Sequence, residues 1–186
     1  FTWGVLERLL EDDRLDIDGV SGTSAGAINA AILVQGLAEG GREGAVRALG
    51  RLWRDVATRL AFSPLQNTPL EKAIWGYDLT YSVAYQWFDF AIRAFSPYQF
   101  NPFPIEYNPL RTVIEDQLDT EVLRRDPKGA RLFISATNVR TGKPRVFTRT
   151  EVDADVLMAS ACLPQIFRAV EIDGEPYWDG GYLGNP

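Results

Sequence analysis

Apolar positions along the first sixty residues recur mostly at helical intervals, interrupted by one short extended run. Val5, Leu6, Leu9 and Leu10 fall on one face, so the spacing predicts an amphipathic helix over residues 1–10. Glu11-Asp12-Asp13-Arg14 is a polar connection. From Leu15 to Leu33 the chain reads as a short strand, a glycine-bounded turn around one serine, and an alanine-rich helix continuing to about Leu37. Gly40-Gly41 breaks that helix. Val46, Leu49, Trp53, Val56 and Leu60 then line one face of the next, from Arg42 to Leu60.

Beyond residue 107 helices and strands alternate again. Asn108-Pro109-Leu110 opens a helix, with Asn as cap and Pro in the first turn, and Val113, Ile114 and Leu118 face inward. The apolar run 131–139 predicts a buried strand, Thr141-Gly142 a turn, and 144–148 a second strand. A helix opens at Asp153 and ends before Pro164. Residues 169–172 and 175–178 form a hairpin on the Asp173-Gly174 turn signal. No repeat interrupts this order. It predicts an α/β fold, a three-layer α/β/α sandwich around a mainly parallel sheet.

Residues 75–107 differ. They hold 12 of the 22 aromatic side chains, over half in under a fifth of the length. Tyr81, Tyr85, Phe88, Ile92 and Phe95 follow helical spacing, while Gln86, Asp89 and Arg93 break it into runs far below the roughly 20 apolar residues of a membrane span. The segment is read as an aromatic-rich helical insertion. Two roles stay open: a lid or acyl-channel wall that touches a lipid surface, or a buried insertion or oligomer contact.

Candidate chemistry centres on Gly22-Thr23-Ser24-Ala25-Gly26, which fits G-x-S-x-G, the nucleophile elbow. So sharp a strand-to-helix turn brings backbone close to the serine, and glycine at 22 and 26 is expected to relieve the collision. The helix starting at Ala25 aims free N–H groups and its positive dipole end toward an oxyanion beside Ser24. A tight turn with an idle serine fits the same residues. The chain has no histidine, so a Ser-His-Asp triad within these residues is excluded. A carboxylate would have to take the serine's proton, and Asp179, ending an apolar strand before Gly180-Gly181, is the candidate. Its other reading is a turn cap.

Three blocks in order, Gly22-Thr23-Ser24-Ala25-Gly26, Ala159-Ser160-Ala161-Cys162-Leu163-Pro164 and Asp179-Gly180-Gly181, resemble those of the patatin-like phospholipases: G-x-S-x-G, A-S-x-x-x-P and D-G-G/A. The resemblance spans nearly the whole chain and implies a lipid acyl hydrolase with a Ser–Asp dyad, Ser24 as nucleophile and Asp179 as base. It implies no cofactor or metal. The family also carries a glycine-rich loop, roughly G-G-G-x-R-G, that supplies oxyanion donors. Phe1-Thr2-Trp3-Gly4-Val5-Leu6 resembles the helix just after it. The expectation is a single catalytic domain over 1–186, cut at both ends. Acyl transfer by the same dyad and a non-catalytic lipid-binding module are the alternatives. A phosphate loop is weakest, because no Lys-Ser/Thr pair follows Gly26.

Composition narrows the partners. A net charge of -6 offers no basic stripe for nucleic acid and no electrostatic hold on anionic lipid. The single cysteine, Cys162, excludes an internal disulfide or a multi-cysteine zinc site and reads as a small buried hydrophobe. The expected partner is a lipid ester, with transient membrane-surface contact through 75–107. Cytoplasmic or peripheral-membrane localisation goes with it.

Overall fold

A computed structural model describes residues 1–59, 68–76, 78, 80, 82–94, 108–125, 129–164 and 167–183. Helix α1 (Thr2–Leu10) leads to strand β1 (Gly19–Gly22) and the long α2 (Ala25–Arg59). Helices α3 (Pro69–Trp75), α4 (Val83–Ala94), α5 (Pro109–Gln117) and α6 (Thr120–Arg125) follow. Strands β2 (Arg131–Asn138) and β3 (Pro144–Thr148), helix α7 (Ala154–Ser160), and strands β4 (Val170–Ile172) and β5 (Glu175–Asp179) complete the order, with a 3-10 turn at Gly180–Tyr182.

The predicted break inside α2 is present. Gly40 and Gly41 leave helical geometry, and Gly41 has φ 59° and ψ -150°, a conformation that only glycine adopts readily. The two halves fold against each other. Buried Asn29 fixes them: its amide donates to Ala25 O (2.7 Å), and its oxygen accepts from Trp53 Nε1 (2.9 Å). Gln35 ties the first half to the turn between α5 and α6, donating to Gln117 O and accepting from Asp119 N. Arg42 begins the second half and donates to the carbonyls of Leu10, Asp12 and Leu15, which holds α1 and the polar connection in place.

The core lies between α2, α7 and the sheet. Ala27, Ala30, Ala31 and Leu33 of α2, Leu132, Ile134 and Ala136 of β2, Phe147 of β3 and Leu157 of α7 are all buried. Alanines along the first half of α2 bring that helix close to β1, as their run suggested.

The sheet corrects one expectation. It is mixed: β1 pairs with β2 in parallel, while β2–β3, β2–β5 and β4–β5 are antiparallel. The reason is in the connections. The segment between β1 and β2 crosses through helices to a strand that pairs in parallel, whereas α7, between β3 and β4, joins strands that do not pair with each other. β2 and β3 are joined by a short turn, and β4 and β5 by the two-residue turn Asp173-Gly174, both at positive φ (54° and 76°). On the β2–β3 face opposite Ile134 and Phe147, Phe133 and Val146 are partly open to solvent (37% and 53% exposed).

Boundaries shift where backbone pairing decides them. The elbow strand is Gly19–Gly22 alone, with residues 15–18 as an irregular approach. Of the aromatic segment, α4 is helical as its spacing predicts, with Trp87 and Phe90 in edge contact (6.0 Å). Leu60, Tyr77, Tyr81 and residues 95–107 lie outside the described residues, so the rest of the segment's expected aromatic packing does too. Among the described residues, no helix is long and apolar enough to cross a membrane.

Candidate active site

One strand edge assembles the site. Phe133 and Ile134 of β2 pair with β3 on one side, so β1, which pairs with the same two residues, holds the other. Ala136 and Thr137 also pair with β3, which places β5 on the edge that β1 occupies. β1 and β5 therefore lie end to end along a single edge of β2, pointed at each other. Gly22 ends β1 opposite Ile134, and Asp179 ends β5 opposite Ala136. Only Ser135 separates them.

On the β1 side the turn is as sharp as the motif requires. Ser24 has φ 57°, a left-handed conformation that a non-glycine residue adopts at a cost of about 1–3 kcal/mol. Gly26 N donates to Thr23 O and Ala27 N to Ser24 O, and α2 starts at once. The N–H of Ala25 has no partner among the described residues, as expected for the first turn of a helix. A Cβ on Gly22 would lie 2.5 Å from Gly26 O and 2.8 Å from Ala27 Cα, so the strand tolerates only glycine there. At Gly26 the expected collision is not found. A Cβ there meets no atom within 4 Å, because it points away from the strand and only the carbonyl of this residue approaches Gly22.

On the β5 side, Asp179 is 4% exposed. Its Oδ1 accepts from Gly181 N (2.8 Å), its N–H donates to Cys162 O (2.9 Å), and its carbonyl accepts from Thr137 Oγ1 (3.0 Å). The turn-cap reading thus describes its present hydrogen bond. No hydrogen bond joins Ser24 Oγ to its carboxylate among the described residues. A Cβ on Gly180 would overlap the Ser135 carbonyl, lying 2.8 Å from its carbon, so the first glycine of Asp-Gly-Gly admits the turn against β2. Gly181 contributes its N–H.

Ser160 ties the elbow to the central strand. It is fully buried at the end of α7; its hydroxyl donates to Ser135 O (2.7 Å) and accepts from Ser24 N (3.0 Å). The A-S-x-x-x-P block pointed to this residue, but only its place near a helix end was legible, because both partners are distant in sequence. Next to it, Cys162 is buried as expected. Its thiol donates to Arg168 O (2.9 Å), and burial, with the Asp179 charge adding to it, pushes its pKa up to about 12. It stays protonated and inert near neutrality. Farther along β5, Arg145 donates to Tyr177 Oη (3.0 Å) and to Asp173 (3.1 Å), bracing the hairpin that delivers Asp179.

With this arrangement in view, the comparisons place the chain. The family model of patatin-like phospholipases matches residues 1–186, and the chain belongs to that family. Among solved structures, the crystal structure of VipD from Legionella pneumophila is similar at 18% identity and a TM-score of 0.47. The match covers 99% of this chain and 44% of that one, so this chain spans less than half its length. Among curated proteins, none matches.

Two outcomes test the geometry. Gly22→Ala should destabilise the fold by about 1–3 kcal/mol through overpacking, whereas Gly26→Ala should be neutral or stabilising by up to about 1 kcal/mol. Urea midpoints measure both, and equal losses would contradict the asymmetry. Ser160→Ala strands a buried donor and acceptor and should cost about 1–3 kcal/mol; an unchanged midpoint would remove its locking role.

Proposed function

We propose that this chain is the core of a serine lipid acyl hydrolase of phospholipase A or lysophospholipase type, with Ser24 as nucleophile and Asp179 as base. The observation that carries the reading is the head-on approach of β1 and β5 to Ser135, which puts the elbow serine and a buried carboxylate on either side of one residue. The left-handed Ser24 supports it too, since backbone strain of this kind is characteristic of functional sites. In the same reading residues 1–186 form one catalytic domain, and a second helical layer covers the face carrying Phe133 and Val146.

The reaction is a two-step acyl transfer. Asp179 turns from Gly181 N toward Ser24 and takes the hydroxyl proton as Oγ attacks the ester carbonyl carbon. The N–H of Ala25 and the start of α2 hold the oxyanion that forms. As the carbon–oxygen bond to the leaving alcohol breaks, Asp179 returns the proton to that oxygen. Water then loses a proton to Asp179 and attacks the acyl-enzyme, which releases the fatty acid and regenerates Ser24. Acyl transfer would replace this water by an alcohol, and product ratios with and without added alcohol distinguish the two.

The lipid surface is met by α4. Val83, Trp87 and Phe90 stand at i, i+4 and i+7, one helical face, and are 65%, 68% and 59% exposed. This stripe docks the protein on the aggregate that holds its substrate.

The full-length protein should be labelled by a fluorophosphonate at Ser24. Ser24→Ala should abolish labelling, and Asp179→Asn should keep the fold but reduce ester turnover at least a hundredfold. Labelling that survives Ser24→Ala, or full turnover by Asp179→Asn, would defeat the assignment. Vesicle binding without turnover in any form would indicate a lipid-binding module instead. Replacing Trp87 and Phe90 by Glu should weaken sedimentation with phosphatidylcholine vesicles about tenfold or more, with turnover of a soluble ester unchanged. Unchanged sedimentation would take α4 out of the surface contact.

A further inference from the structure

Thr23 stands between the two halves of the site. It is 8% exposed, and its methyl carbon lies against the turn after β5: a Cβ on Gly180 would be 3.0 Å from it, and one on Gly181 4.0 Å. That contact seats the elbow on the Asp179 turn. Its hydroxyl is different. Oγ1 is enclosed and has no hydrogen-bond partner among the described residues.

A buried hydroxyl without a partner lowers stability, and valine would keep the branched shape and the methyl contact without that cost. Packing therefore does not account for an oxygen at this position, and a buried unpaired donor needs another explanation. Asp179 offers one. Its Oδ1 is held by Gly181 N, so the carboxylate at rest faces its own turn. Turning that oxygen to Ser24 gives up or shares the bond while the group remains an anion enclosed by protein. A buried charge without a donor is strongly disfavoured. Gly181, whose N–H is the donor being relinquished, is also the glycine beside the Thr23 side chain.

We infer that Thr23 is a positioning residue whose hydroxyl donates to the Asp179 carboxylate when that group turns from Gly181 N toward Ser24. The inference rests on the Ser24–Asp179 reading and adds a donor to it. The unpaired hydroxyl of the resting state is the donor held in reserve for the turned state.

The test uses the full-length protein with Thr23→Val and Thr23→Ser, read by thermal denaturation and by kcat and KM on a soluble ester, with Ser24→Ala as the inactive control. Thr23→Val should fold and melt at or above the parent temperature. Its kcat should fall about tenfold or more while KM stays within twofold. Thr23→Ser keeps the hydroxyl and loses the methyl, so it should melt lower yet recover kcat to within about threefold. Parental kcat in Thr23→Val, or a loss in Thr23→Ser as large as in Thr23→Val, would overturn the inference while leaving the dyad standing. A parent that neither turns over ester nor reacts at Ser24 would bring down the dyad reading and this inference with it.

Discussion

The structure depends on how one backbone position is shared. Ser135 lies at the gap where two strands meet along a single edge of β2, and its carbonyl accepts the Ser160 hydroxyl in that gap. The same hydroxyl accepts from Ser24 N, so one oxygen atom joins the central strand to the most strained residue of the elbow. The cost of holding Ser24 at positive φ is met by groups that would otherwise be buried without partners. Removing the Ser160 hydroxyl leaves the Ser24 N–H and the Ser135 carbonyl without this partner.

Small residues at the junction follow from the same constraint. Two strand ends, a helix start and a 3-10 turn converge on one β-strand residue, and backbone comes within contact of backbone at Gly22 and Gly180. Side chains that remain there are short: Thr23, Ser135, Ser160 and Cys162. Function on the proposed reading arises from this crowding. A serine and a carboxylate are delivered by strands whose direction and register leave them little room to go elsewhere, and the charge of the carboxylate is partly answered by the Gly181 N–H.

Much of this was legible in residue order, where the determining physics is local. The elbow showed in Gly22 to Gly26, the α2 kink in Gly40-Gly41, the β4–β5 turn in Asp173-Gly174 and the start of α5 in Asn108-Pro109, each a backbone preference carried by one or two residues. The three ordered blocks identified the family that the comparison established over residues 1–186. What escaped was non-local. Whether β5 runs with or against β2 depends on pairing between residues some forty positions apart, so a mainly parallel sheet was the natural expectation and a mixed one the result. The role of Ser160 escaped for the same reason, since its bonds reach Ser135 and Ser24. Gly26 was misread because a motif position does not reveal which way its missing Cβ would point.

Ser24 is held in its strained conformation by a long-range hydrogen bond as well as by the turn. Amide hydrogen exchange at Ser24, read residue by residue, tests it most directly. The Ser24 N–H should exchange as slowly as the amides of β2, because it opens only when α7 leaves the sheet. Exchange at the rate of an exposed turn would mean that the Ser160 contact does not hold the elbow, and the structural explanation of the site would fail.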